Sequence, residues 1–262
     1  MDFYWWNSYR ITNKTSPILT SDEAHFINSM KLEICANSYH SAINAQNAGA
    51  DRIELCSDLT VGGITPSNLL LKKVSKNITI PVHVLIRPRS GDFNYSENEF
   101  LLMKENIKRC KEYGFNGIVS GILNTNKSID IERTKELIAL SKPLSFTFHR
   151  AFDCVSNPKK ALKELIALEI DRILTSGLEE KAINGIALLK ELKDIAKEQL
   201  IILPGSGINA TNARTFKSNG FKEIHTSASK IIANSNLDLN STEQTISDVT
   251  TITEILNIIK NT

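Results

Sequence analysis

The chain has 262 residues, 41% hydrophobic and 23% charged, which is enough apolar material for one globular core of ordinary composition. Its 31 Lys and Arg against 29 Asp and Glu leave a formal charge of +2, which gives no electrostatic case for nucleic acid or an anionic membrane as partner. No apolar run reaches bilayer length, and the four cysteines, Cys35, Cys56, Cys110 and Cys154, are scattered without a secretion signal, which argues for a reducing compartment, the cytoplasm, over a disulfide framework.

Residues 1–30 stand apart. An aromatic cluster, Phe3 to Trp6, precedes a polar stretch that lacks the cationic start and apolar centre of a signal peptide. This segment is expected to be an extension, disordered or packed as a peripheral arm, ahead of one domain over 31–262. From Lys31 onward, short β-branched runs alternate with amphipathic stretches, the pattern of βαβ units. KLEIC at 31–35 reads as the first strand and 39–48 as a helix closed by Gly49. DRIELC at 51–56 is the second strand, and Thr65-Pro66 is an N-cap and N1 pair for the next helix. TIPVHVLIR at 79–87, GIVSG at 117–121 and LSFTFHR at 144–150 supply strands three to five, with helices at 97–113 and 130–141 between them. Asn157-Pro158 caps the helix that leads to DRILTSG at 171–177. A helix over 179–196 then precedes QLIILPGSG at 199–207, and a short helix from Asn209 to Asn219 precedes FKEIHTS at 221–227. A polar, irregular stretch follows, and 248–260 reads as a closing helix. Eight strand–helix pairs without a linker predict a single-domain (β/α)8 barrel of the TIM type, whose chemistry sits at the carboxyl ends of its strands.

Strand parity selects candidates at that rim. Side chains two apart share a face, so Glu33 pairs with Cys35, and Glu54 with Cys56. Carboxylates buried together repel, which raises one pKa and makes Glu33 or Glu54 a candidate general acid; the alternative is a structural ion network neutralised by Arg52, Arg87 or Arg150. Neighbouring strands lie about 4.8 Å apart, so Cys35 and Cys56 can face one soft ion together, or pack as small hydrophobes. Arg87 and Arg89, on a rigid turn with Asp92, can clamp a carboxylate or phosphate, or pair with nearby acids. His149 is the general-base candidate by position, beside Arg150 and Asp153. Gly205, Ser206 and Gly207 after strand seven, with Ser227 after strand eight, fit a phosphate cradle opening a helix, or a tight turn.

Several of these blocks are specific. GADRIELCSDLTVGGITPS at 49–67, IRPRSGDFNYS at 86–96, FTFHRAFD at 146–153, RILTSG at 172–177 and PGSGI at 204–208 resemble the CutC copper-homeostasis family, over about Lys31 to Ser229. The resemblance implies a TIM-type fold, a cytoplasmic setting, self-association into a homo-oligomer, and Cu(I) bound by the cysteines of the first two strands, here Cys35 and Cys56. It does not extend metal binding to Cys154. Residues 230–247 look shorter than the family's serine-rich stretch, and the first thirty residues have no recognised counterpart. Two functions follow as expectations: a copper-homeostasis protein holding Cu(I) on its thiols, or a barrel enzyme that acts on a small anionic or phosphorylated substrate.

Overall fold

The computed structural model describes residues 29–232 and 244–261. The expected extension therefore lies outside the described residues, apart from Ser29 and Met30. Eight parallel strands run in the order β7-β6-β5-β4-β3-β2-β1-β8. They are β1 (Lys31–Ala36), β2 (Arg52–Leu55), β3 (Val82–Leu85), β4 (Gly117–Ser120), β5 (Ser145–Phe148), β6 (Arg172–Thr175), β7 (Ile201–Pro204) and β8 (Glu223–Thr226). A bridge between Gly205 and His225 joins β7 to β8 and closes the (β/α)8 barrel.

The two faces of the sheet differ sharply in chemistry. The main apolar core lies between strands and helices: Leu32, Ile34, Ile53, Leu55, Ile118, Phe146, Phe148 and Ile173 pack there with helix residues such as Leu71, Met103, Leu137, Leu165 and Leu192. Burial of that face is what holds the helices on the barrel. The lumen is ionic. Glu33, Arg52, Glu54, His83, Glu223 and His225 are all buried, and a small apolar patch of Cys35, Cys56, Leu85 and Val119 sits apart from the main core. A lumen of charges in place of branched aliphatic layers departs from the usual barrel filling. Gly117 and Gly121 make room for it: a Cβ on Gly117 would lie 2.4 Å from the His83 ring, and one on Gly121 would lie 2.8 Å from Nδ1 of His149.

Several element boundaries differ from those the sequence predicts. The helix expected to start at Thr65-Pro66 runs from Asn68 to Asn77 behind the N-cap Ser67. Thr65 is taken up instead by Arg87, whose N–H donates to Thr65 Oγ1 at 2.8 Å while its carbonyl accepts from the Thr65 N–H. The helix expected over 179–196 starts at Ile186. The chain before it is held as a loop by Ser206, whose hydroxyl donates to the Glu180 carbonyl at 2.7 Å and whose carbonyl accepts from the Ala182 N–H. The helix expected from Asn209 is only Ala213–Ser218. The stretch expected to be irregular after β8 contains a short antiparallel pair, β9 (Ser229–Ile231) and β10 (Thr245–Ser247), and the closing helix covers Val249–Lys260. Among the described residues, no helix is long and apolar enough to cross a membrane.

Candidate functional site

The loops at the carboxyl ends of the strands enclose a cavity of about 410 Å³. Its wall includes Cys35, Glu54, Arg87, Phe93, His149, Arg150 and His225, faced by Ser206, Gly207 and Asn209 after β7 and Ser227 after β8. Arg89, Asp92, Asp153 and Gly205 are not part of that wall.

Below the cavity, register decides which charges meet. On β1 and β2 the Cα partners are Glu33 with Arg52 and Cys35 with Glu54, and on the other side Glu33 pairs with His225 of β8. Arg52 bridges the carboxylates of Glu33 and Glu223, and Arg172 adds a second contact to Glu223 at 2.9 Å. Nδ1 of His225 lies 2.8 Å from Glu33 and 3.6 Å from Glu54. Burial alone would raise Glu33, but Arg52 and His225 hold its carboxyl well below the usual range. The same balance lowers Glu223 through Arg52 and Arg172. Burial works against the charge on His225, yet its contacts with Cys35 and Glu33 and the charge of Glu54 raise it well above the ordinary histidine value. Glu54 goes the other way: burial, reinforced by Glu33, pushes it up to about 7 against the pull of His225 and Arg52. Its Oε2 has no hydrogen-bond partner among the described residues.

The two carboxylates therefore divide, Glu33 lowered and Glu54 raised. Glu33 is the ion-paired member, so it cannot exchange protons near neutrality, while Glu54 holds or releases one there. Of the three arginines offered as neutralisers, Arg52 does the work, and neither Arg87 nor Arg150 pairs with these acids. His149 also takes a different part from the general base expected. Burial, with help from Arg87, pushes it down to about 3, and its Nδ1 accepts from the Ala151 N–H at 3.2 Å. A neutral ring with Nδ1 occupied as acceptor carries its proton on Nε2, which has no partner among the described residues. His149 is thus a donor at neutral pH.

The thiols of Cys35 and Cys56 lie with Sγ atoms 3.5 Å apart. Both are free and buried, and Cys35 is the one that reaches the cavity. Cys35 is held protonated by its hydrogen bond to Cys56 and by burial, which raise its pKa well above the ordinary thiol value. Oxygen and nitrogen donors of Glu33, Glu54 and His225 lie within 4.8 Å of one another just beside them, a grouping not anticipated as a possible ion site. Parity on β3 and β8 was the available signal: His83, Leu85 and Arg87 alternate inward as Glu33 and Cys35 do, and so do Glu223 and His225.

The ArgProArg clamp does not form. Arg89 turns outward to Asp92 at 2.9 Å and Glu99 at 2.6 Å, because the strand ends at Leu85 and the turn breaks the parity between the two arginines. Arg150 and Asp153 pair with each other at 2.7 Å, and the Asp153 carboxylate also accepts from the backbone of Ser176 and Leu178, so it pins the loop after β6. The phosphate cradle expected at Gly205–Gly207 is not built either. The following helix begins four residues late, and the side chains of Asn212 and Asn209 take the N–H groups of Asn209 and Thr211. Ser206 and Gly207 form the tight turn, both with positive φ, and the Ser227 hydroxyl meets that of Ser229 at 3.1 Å.

Comparison with known proteins agrees with this architecture. The sequence pattern of the CutC family matches residues 30–230. The family protein CutC of Yersinia pestis is 46% identical over 203 residues, 77% of this chain and 80% of its own. The human copper homeostasis protein cutC homolog is 40% identical over 93% of this chain and 94% of its own, a match that reaches into the first thirty residues, for which the sequence offered no counterpart. The crystal structure of a CutC protein from Streptococcus agalactiae superposes with a TM-score of 0.72 at 34% identity, covering 76% of this chain and 98% of that one. A matching family pattern, relatives of this identity and a shared barrel place the chain in the CutC copper-homeostasis family.

Proposed function

We propose that this protein handles copper by binding Cu(I) between the thiolates of Cys35 and Cys56, at the inner end of the barrel-mouth cavity, in the reducing cytoplasm. The observation that carries this reading is the pair of free sulfurs on neighbouring strands, 3.5 Å apart, buried, with one of them open to the cavity. Paired thiolates are the donor set that soft Cu(I) prefers, and the human relative is named for copper homeostasis.

Competition with a chromophoric Cu(I) chelator under reductant tests it. Cys35→Ser/Cys56→Ser is expected to weaken binding by at least about tenfold while circular dichroism stays native; unchanged affinity contradicts the reading. Because the Cys35 thiol is held protonated, Cu(I) must displace that proton. Affinity of the wild type is therefore expected to climb by up to about tenfold per pH unit for each proton released.

One observation favours a second reading, a barrel enzyme for a small anionic substrate. Glu54, pushed up to about 7, and the neutral His149 face one cavity. A carboxyl near neutrality suits proton transfer, and a neutral imidazole donor suits polarising a carbonyl oxygen. Small 2-oxo acids in heavy water are then expected to take up deuterium next to the carbonyl, and Glu54→Gln to stop it. No exchange across such a panel would remove this reading.

A further inference from the structure

Arg87 is 6% exposed and yet has no carboxylate within ion-pair distance among the described residues. Its Nη1 donates to the carbonyls of Val61 and Gly63, and Nη2 to that of Gly91, each at 2.9 Å. Three carbonyl dipoles hold the guanidinium in place without neutralising it. A guanidinium carries five N–H donors, so two remain beyond these three bonds; the Tyr95 hydroxyl lies beside the guanidinium, and among the described residues Nε is buried without a hydrogen-bond partner. A buried full charge left uncompensated is costly, and a protein that keeps one beside a cavity has a use for its field.

His149 supplies a second donor on the wall of the same cavity. It is 4% exposed, and its Nε2 is likewise buried and has no hydrogen-bond partner among the described residues. Phe93 braces both groups. The Arg87 guanidinium lies 4.8 Å from the centre of its ring, and the His149 ring centroid lies 4.9 Å away at 53°. Both side chains follow strand ends, after β3 and β5, and both line the 410 Å³ cavity. That volume suits a metabolite at the small end of ordinary ligand sites. A metal cation gains nothing from two N–H donors, one of them charged, whereas a charged oxygen takes both.

We propose that the barrel-mouth cavity is a binding site for a small organic acid, whose charged oxygens accept from the free N–H groups of Arg87 and His149. The acid is a carboxylate or a phosphate monoester. The hydroxyls of Ser227 and Ser229 and the tight turn at Gly207 form the facing wall. This inference names the ligand of the second reading above without depending on turnover, and it needs no copper.

The test is titration of the full chain by calorimetry and thermal shift, at constant ionic strength, with a Cu(I) chelator present. The probes are glycolate, glycerol 3-phosphate and phosphoglycolate, with chloride as control. A saturable rise in melting temperature with glycolate identifies a carboxylate site, and one with glycerol 3-phosphate identifies a phosphate site; phosphoglycolate carries both groups and is expected to bind in either case. His149→Phe keeps the ring against Phe93 and removes the donor, and is expected to weaken the responding probe at least about tenfold. Arg87→Lys keeps the charge but loses the planar fork, and is expected to weaken it further. Because Arg87 also ties the loop carbonyls, His149→Phe decides the matter if the arginine variant does not fold. No response to any probe at millimolar concentration overturns the proposal, as does a response that His149→Phe leaves unchanged. Binding without deuterium exchange would remove the enzyme reading alone.

Discussion

Arg52→Ala is expected to lower the stability of the fold by about 3 kcal/mol, the size of loss that follows when one partner of a buried ion pair is removed. The Arg52 side chain is 6% exposed and bridges two carboxylates, Glu33 and Glu223, that are more buried still. Each keeps one other contact, Glu33 with His225 and Glu223 with Arg172, which places the expected loss at the lower end of the range. The pH dependence follows from the same pairing. Glu33 and Glu223 are both held below their ordinary value of 4.5 in the folded state. Their contribution is therefore complete above 4.5 and is lost as pH falls through the lowered folded values. Without Arg52 those folded values rise, so the variant is expected to lose stability at a higher pH than the wild type. Urea unfolding across the acid range checks both points. A loss below about 1 kcal/mol, or superimposable acid limbs, would show that the lumen network contributes little.

Glu54→Gln is expected to act in the opposite direction and stabilise the protein above neutral pH. The Glu54 carboxyl moves from 4.5 to about 7 on folding. Between those values the folded state keeps a proton that the unfolded chain has released, so stability falls as pH rises through the window. A shift of that size corresponds to about 3 kcal/mol, present in full above the folded value. Glutamine removes that cost but also the attraction of Glu54 for His225, so the expected net gain is about 2 kcal/mol near pH 8. Chemical unfolding at pH 5 and pH 8 measures it. A variant that is less stable than wild type at both values would contradict the account. A buried acid that destabilises its own fold is what a site kept for function looks like.

The barrel was legible because its signals are local. Alternating runs such as DRIELC and LSFTFHR, glycine after helices and Asn157-Pro158 at a helix start each report their own neighbourhood. Parity also put Glu33 with Cys35 and Glu54 with Cys56 on one face each, and Arg52 was one of three arginines offered to neutralise the acids. What the sequence withheld depends on contacts between distant segments. Thr65 belongs to Arg87 and not to the helix after it, and Asn209 and Asn212 spend their side chains on backbone amides that a phosphate would need. Arg87 and Arg89 look like a pair in sequence, but a strand that ends at Leu85 sends one inward and the other to Asp92 and Glu99. His225 lies within FKEIHTS, the expected last strand, but its partnership with Glu33 arises only when β8 closes against β1.

Whether Cys35 and Cys56 together hold Cu(I) can be read from X-ray absorption at the copper edge. The protein would be loaded with one equivalent of Cu(I) under reductant, as wild type and as Cys35→Ser/Cys56→Ser. Copper neighbours dominated by sulfur are expected in the wild type, and their loss in the double variant. A shell of nitrogen and oxygen in the wild type, or a sulfur shell that persists without these two thiols, would contradict it.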